Sequence, residues 1–489
     1  MAQIQWLAVE NTVSRKKNAN QQVVQFLILV ERLSYDKQVE VFWAGSDGVW
    51  HTMLANYQGP HGNQQELWQA RLTGSGKSNQ LLGNISFAFR LRCQAGEFWD
   101  NNAGLNYQSR QGSGVTLAAQ LALQHLNFKH RLEDEQQFAA IKIAVNAALI
   151  TDSVVIHWTS DNWRSSHQTV CHYQKRLKQH GAKVYTARLP VINSFAVEYC
   201  VSGKTAQSEL VWDNNGGSNY RLSREPLKVM ILNLHCYQED QQDKKFSQIA
   251  KAIREQGADV VCFQEVAEHW NHGHGDWASN SANIINQRLK PPMHLYTDWS
   301  HLGFDKYREG VAILSRYPLL HTQSRYVSDS HDAYSIHSRK VVMANIQVPY
   351  LGSINVFSAH LSWWEDGFQE QFQRLCEWAD SQSHPSLSAT LLCGDFNIAA
   401  GSIGYQQVVL TNQYEDQYLA ANHQGLFEKI FRVNDAHWGN WLSDDYRIDY
   451  IFMNKTSNLR VTAARVLFTD WDYGQVSDHC GYLMSFEPK

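Results

Sequence analysis

Ala389-Thr-Leu-Leu-Cys-Gly-Asp395-Phe-Asn397 is an apolar run that ends abruptly in a carboxylate, a glycine beside it and an amide two residues on. A continuous run of this length, without polar alternation, reads as a strand buried on both faces. Side chains alternate along an extended chain, so Asp395 and Asn397 share one side of it. An ionised carboxylate next to a core is costly unless it is paired, hydrogen-bonded or bound to a cation. Taken alone, the segment also fits a plain turn.

Working outward, the same pattern recurs. Val229-Met-Ile-Leu-Asn233 and Asp259-Val-Val-Cys-Phe-Gln-Glu265 are apolar runs with polar ends, as is Ile354 to His360. Further strands are predicted at 310–314, 340–347, 448–453 and 481–486, and helices at 244–255, 282–289 and 368–380. Buried strands interleaved with helices predict an α/β layered domain over residues 225–489. Asn233, Glu265, His360, Asp395 and Asp449 all stand where a buried run meets a loop, and Asp478-His479 follows near the C-terminus. One such residue is unremarkable, but a set on separate strands points to one shared pocket. Glu265 is a hard oxygen donor suited to Mg²⁺ or Mn²⁺. An Asp beside a His orders a water or stabilises a charged imidazole.

The series Asn233, Glu265, Ser-Ala-His360-Leu, Gly-Asp395-Phe-Asn397, Arg-Ile-Asp449-Tyr and Ser-Asp478-His479 resembles, in that order, the endonuclease/exonuclease/phosphatase superfamily. The resemblance implies a four-layer αββα sandwich with its site at one edge of two packed sheets. It further implies that Asn233 and Glu265 hold a metal, Mg²⁺ or Mn²⁺, with Asp478 close by. His360 and Asn397 would bind the scissile phosphate, Asp395 would orient the attacking water, and Asp449 would position His479 for transition-state stabilisation or proton transfer. A narrower resemblance, to the maltose 6′-phosphate phosphatase branch, rests on three stretches. These are Asn233-Leu-His235-Cys, Trp299 to Arg316, and His360-Leu-Ser-Trp363-Trp364 followed by Gln371. Ser362 stands where that branch has Gly, and the acidic run after the tryptophans is shortened to Glu365-Asp366, which leaves the sugar open. His235 is a substrate-binding candidate. Trp363 and Trp364 offer flat faces to a sugar ring or pack in the core. Lys306, Arg308 and Arg316 are candidate phosphate partners, with a solvated loop the alternative for the first two. His269, His272 and His274 lack a fourth ligand in view and read as a surface loop, not as a zinc site.

The first 224 residues are different: they contain a repeat. Gln21-Gln22 leads to Trp43 as Gln136-Gln137 leads to Trp158, and Ser86-Phe87-Ala88 matches Ser194-Phe195-Ala196. The copies close on Trp99-Asp-Asn-Asn102-x3-Asn106-Tyr107 and Trp212-Asp-Asn-Asn215-x3-Asn219-Tyr220. Short alternating runs between Gly, Asn and Asp turns predict two antiparallel β-sandwiches, at 1–112 and 113–224, with a local helix over 117–126. The closing signature resembles the starch- and glycogen-binding modules of carbohydrate-binding family 21. That implies glucan contacts by Trp99, Asn102, Asn106 and Tyr107, and by Trp212, Asn215, Asn219 and Tyr220. The same residues could instead pack the sandwich and cap a turn.

Composition narrows the function. Of 489 residues, 43% are hydrophobic and 18% charged, ordinary for a folded chain. The net charge of −4 conceals an asymmetry: residues 1–224 carry 22 Lys/Arg against 16 Asp/Glu, and the remainder 21 against 31. An acidic catalytic half weighs against nucleic acid as the partner, because phosphate neutralisation supplies most of that affinity. Eight dispersed cysteines predict reduced thiols, and the absence of a leader or membrane-spanning run predicts a cytoplasmic protein. The expected function is a Mg²⁺- or Mn²⁺-dependent sugar-phosphate phosphatase on an α-glucan such as glycogen or starch. The alternatives are a nuclease or other phosphodiesterase, and a glucan-binding scaffold with an inactive site.

Overall fold

A computed structural model describes residues 2–15, 19–76, 81–126, 131–174, 181–422 and 447–489. The chain divides into two compact units, Met1–Glu225 and Pro226–Lys489. Among the described residues no helix is long and apolar enough to cross a membrane. All eight cysteines are free thiols.

The second unit is built on two sheets. In the first, Leu227–Asn233 lies between Val260–Asn271, to which it is parallel, and the antiparallel Gly481–Pro488. In the second, Gly352–His360 lies between Lys340–Val348 and Leu387–Asp395, and is parallel to the latter. Alternation sorts their side chains. Met230, Leu232 and Phe263 pack under the helices Gln242–Gln256 and Ser281–Gln287, while Phe357, Ala359, Leu392, Tyr450 and Phe452 pack under Phe368–Ser381. The long helices form because apolar residues recur at helical spacing, Phe246, Ile249, Ala250 and Ile253 in one and Phe368, Phe372, Leu375 and Ala379 in the other. Gly257, at φ +65°, ends the first.

The opposite strand faces meet each other. Gln264 Nε2 donates to Ser358 Oγ at 3.1 Å, and Ser358 Oγ donates to the Phe263 carbonyl at 3.2 Å, stitching sheet to sheet. The result is helix, sheet, sheet, helix, the layered sandwich expected from the sequence. Strands His294–Gly303, Leu319–Tyr326 and Leu459–Leu467 escaped the sequence reading. Each lies toward a sheet margin with alternating or polar faces, so none carries the continuous apolar run that marks a buried strand.

The first unit holds two antiparallel sandwiches with separate cores, one around Phe26, Phe87 and Phe89, the other around Ile141, Ile156 and Tyr199. A third apolar cluster joins them: Leu7, Leu27, Leu29, Leu67 and Val115 from the first against Ala144 and Val184 from the second. The expected helix over 117–126 is absent. Strand Gly114–Leu117 pairs with Ile4–Arg15, so the first sandwich runs past residue 112, and Leu123–His125 pairs with Phe138–Val145. The leucines at helical spacing, Leu117, Leu121 and Leu126, instead flank the shared cluster as the chain passes between sandwiches. The repeat also needs one realignment. Trp43 faces Phe87 and Trp158 faces Tyr199 across their strands, and Phe87 stacks on Tyr107 as Tyr199 does on Tyr220. The counterpart of Phe87 is therefore Tyr199, not Phe195.

Gly394, next to the carboxylate that opened the sequence reading, sits at φ +136°, and a Cβ there would lie 2.1 Å from the Ala359 carbonyl oxygen. Backbone cannot yield as a flexible side chain can. Gly394→Ala is expected to destabilise the catalytic unit by at least ~2 kcal/mol, read as a lower midpoint in urea unfolding followed by tryptophan fluorescence. A wild-type midpoint would show that the strands part freely.

Candidate active site

Strand parity aims the site residues. Asn233, His360 and Asp395 end strands whose inward positions face the other sheet, and Asp449 begins the antiparallel strand Asp449–Asn454 beside Asp395. All four are buried. Glu265 should by alternation fall on the helix side, because Gln264 points inward. A bulge between Phe263 and Val266, with Glu265 at φ +49°, turns it into the site instead. Asn397, at φ +51°, bends back so that its N–H donates to Asp395 Oδ1 at 2.9 Å and its Nδ2 to the Leu361 carbonyl at 2.8 Å.

The side chains converge. Asn233 Nδ2 donates to Glu265 Oε1 at 2.8 Å and, across the sheets, to Asp395 Oδ2 at 3.0 Å. His360 Nε2 lies 3.9 Å from Glu265 Oε1 and 3.8 Å from Asp395 Oδ2. His479 Nδ1 meets Asp449 Oδ2 at 2.8 Å, leaving Nε2 3.7 Å from Asp395 Oδ2 and 3.9 Å from Asp478 Oδ1. Glu265 and His479, distant in sequence, thus border one cavity of about 360 Å³.

Its electrostatics are those of an acidic pocket. Burial, aided by Glu309 and Asp478, pushes the Glu265 carboxyl up to about 8, and burial with Asp449 pushes Asp395 up to about 7. Burial works against a charged His479, but Asp449, Asp478 and Asp395 outweigh it and hold the imidazole well above its ordinary value. His360 goes the other way: burial, then Arg339, His301 and His479, hold it well below. The two histidines are therefore pushed in opposite directions, His360 away from its charged form and carboxylate-backed His479 toward it. For His235, Glu239, Asp478 and Glu265 overcome burial and raise it to about 9; its Nδ1 sits 2.7 Å from Glu239 Oε1.

Carboxylates gathered this closely, with Asn233 as their shared donor, fit a hard divalent cation. Ligand atoms of Glu265, His360 and Asp395 lie within 4.8 Å of one another, as do those of Asp395, Asp449 and His479. Oxygen-rich donors with an amide suit Mg²⁺ or Mn²⁺ better than softer metals.

Not every expected residue reaches the cavity. His235 and Trp363 line it. Trp364 lies against Phe368 and the outer core. Lys306 is an exposed turn residue. Arg308 pairs with Glu268 at 3.4 Å and lies against both Trp270 and Trp299, while Arg316 pairs with Asp259 at 3.0 Å. These four stand outside the cavity lining, a correction to the sequence reading: spacing along a loop did not show which cations were already engaged. His269 lies on a strand and stacks on Tyr237 at 5.1 Å, and His274 belongs to the short returning strand, so this stretch is a hairpin instead of a loop. Sequence reasoning missed His301, Phe304, Glu309, Ile336 and Arg339, all of which line the cavity. The signal available for Arg339 was its place directly before the buried run at 340–348.

The closing signature of the repeats is largely a folding device. Asp100 accepts from Tyr107 Oη at 2.6 Å and from the Trp6 N–H at 3.0 Å; Asp213 accepts from Tyr220 Oη at 2.6 Å and from the His125 N–H at 2.7 Å. Asn102 Nδ2 donates to the Asn106 carbonyl and Asn215 Nδ2 to that of Asn219, with all four asparagines at positive φ. Asn215 and Tyr220 are buried. Of the eight residues expected to contact glucan, Trp99 and Trp212 are 45% and 46% exposed, Asn102 is exposed too, and Asn106, Tyr107 and Asn219 are half-buried. Trp50 and Trp163, not singled out from the sequence, are exposed as well.

A model of the Endonuclease/Exonuclease/phosphatase family matches residues 230–479, and one of the carbohydrate/starch-binding module (family 21) matches residues 5–110 and 120–223. The chain is similar to protein YbhP of Escherichia coli (strain K12), with 28% identity over 183 residues. That match covers 35% of this chain and 66% of YbhP, just under two thirds of the relative's length. Among solved structures, an endonuclease/exonuclease/phosphatase family protein from Leptotrichia buccalis is 26% identical with a TM-score of 0.47, covering 53% of this chain and 99% of its own. A mannosyl-6-phosphatase from Bacteroides thetaiotaomicron is 16% identical with a TM-score of 0.41, at 53% and 99% coverage. Matched over half its length by the family model and carrying two family 21 modules ahead of that match, the chain belongs to the Endonuclease/Exonuclease/phosphatase family, whose members are hydrolases of phosphoesters.

Proposed function

We propose that this chain is a divalent-cation-dependent phosphomonoesterase acting on a sugar phosphate, such as maltose 6′-phosphate or a phosphorylated α-glucan. The N-terminal modules hold it to glycogen- or starch-like polymer. The observation that carries this reading is the cavity itself. Its volume of about 360 Å³ suits a small molecule, its floor is made of the convergent acid, amide and imidazole groups, and its rim includes Phe304, Ile336 and Trp363. A nucleic-acid groove would be edged by several Lys and Arg; the described lining here contains one, Arg339. Flat apolar side chains beside a polar floor fit a sugar ring carrying a phosphate.

In this mechanism Asn233, Glu265 and Asp478 would hold Mg²⁺ or Mn²⁺, which would supply charge neutralisation during phosphoryl transfer. The chain does the remainder. His360 and the free N–H of Asn397 Nδ2 bind phosphoryl oxygens. Asp395 accepts from the attacking water and orients it in line. His479, backed by Asp449, donates toward the charge that builds during transfer. Because these donors are fixed by strand ends, little reorganisation accompanies the reaction. At the other end of the chain, Trp99 and Trp212 present exposed faces for stacking on glucose rings. Two weak modules on one chain raise local concentration near a polymer.

Three outcomes are expected. Purified protein with Mg²⁺ or Mn²⁺ releases inorganic phosphate from maltose 6′-phosphate and EDTA abolishes the release, whereas digestion of plasmid DNA without phosphate release from sugars would favour the nuclease alternative. Asp449→Asn lowers kcat by roughly 10²-fold or more with little change in KM, since it disturbs the imidazole that serves the transition state; a loss confined to KM would reassign Asp449 to substrate binding. Glycogen in native gels retards the wild type, and the Trp99→Ala/Trp212→Ala double variant runs with its mobility restored. Retardation equal to wild type would move the glucan surface elsewhere.

A further inference from the structure

Arg339 precedes strand Lys340–Val348. Its backbone is pinned by its own N–H donating to Ser328 Oγ at 2.8 Å and by the Val327 N–H donating to its carbonyl at 2.9 Å. The guanidinium lies in the cavity against His360, 3.2 Å from Nδ1 and 3.4 Å from Nε2, with Nε 3.4 Å from Ser362 Oγ. Ser362 is itself locked, its N–H donating to Gln371 Oε1 at 2.9 Å and its Oγ accepting from Gln371 Nε2 at 3.0 Å. Among the described residues no carboxylate oxygen lies within the 4.0 Å ion-pair distance of this guanidinium. Glu309, on the same cavity wall, is engaged with His301 Nε2 at 3.4 Å. Arg308 and Arg316 are paired with carboxylates; Arg339 is a fixed cation in an acidic cavity with none in reach.

A planar guanidinium grips two oxygens of a phosphoryl group at once. A phosphomonoester, with a second pKa near 6, carries close to two negative charges at neutral pH, and a diester carries one. The additional oxygen anion of a monoester thus needs a partner that a diester does not, and esterifying that oxygen removes the charge while placing a substituent against the guanidinium. Resting on the monoesterase reading above, we propose that Arg339 anchors the non-bridging oxygens of a terminal phosphoryl group beside His360 and thereby sets the preference of this site for monoesters over diesters.

The test compares p-nitrophenyl phosphate with bis(p-nitrophenyl) phosphate in Mn²⁺, on the full chain as wild type, Arg339→Gln and Arg339→Lys. The expected result is a fall of roughly 30-fold or more in the monoester-to-diester ratio of kcat/KM for Arg339→Gln, the scale of a lost charge-assisted contact. Arg339→Lys, which keeps the charge but not the fork, should recover part of that ratio. Competitive inhibition by inorganic phosphate should weaken in the same order. Equal losses on both substrates, or a ratio within about twofold of wild type in both variants, overturn the role of Arg339 and leave the monoesterase reading standing. Should Arg339→Gln fail to fold, the Arg339→Lys ratio and its phosphate inhibition decide alone. A wild type that turns over only the diester overturns both.

Discussion

The contact on which the site depends is the amide of Asn233, which spans the seam between two sheets to reach Asp395 while also holding Glu265. Two carboxylates so near each other repel, and burial denies them water. A neutral donor shared between them makes their approach tolerable. That donor can stand there only because the strand faces meet with their polar ends in register. The seam is therefore structure and chemistry at once: apolar along its length and ionisable at one lip.

Arg447 serves the same end from outside the reacting groups. It is buried against Asp416, with one contact at 3.1 Å, and its guanidinium lies over Tyr450 at 4.5 Å and Tyr418 at 5.1 Å. Tyr450 Oη donates in turn to the carbonyls of Ile398 and Arg447. The segment that launches Asp449 is thus tied on both sides, which explains physically why Arg, Asp and Tyr occur together in that stretch.

Much of this is legible in the amino-acid sequence. Continuous apolar runs announced the central strands because burial on both faces leaves no room for alternation, and the polar residues closing those runs named the site. What stayed hidden followed from local geometry that a pattern does not carry. The bulge that swings Glu265 through the sheet reverses the parity its neighbours imply. Arg339 stands out only through its neighbours in space, His360 and Ser362. In the repeats the closing signature also proves to be a stitched turn, with Asp100 and Asp213 fastening the tyrosines that close each core. Binding residues and turn-forming residues draw on the same polar alphabet, and only burial separates them.

The apolar cluster shared by the two sandwiches changes what kind of object the N-terminal unit is. Leu7, Leu27, Leu29 and Leu67 stand on the outside of the first sandwich and are covered by the second. Severing the pair would leave that oily flank facing water, an invitation to aggregation for either half. The two sandwiches are consequently packed against each other through that cluster and are not two beads on a string.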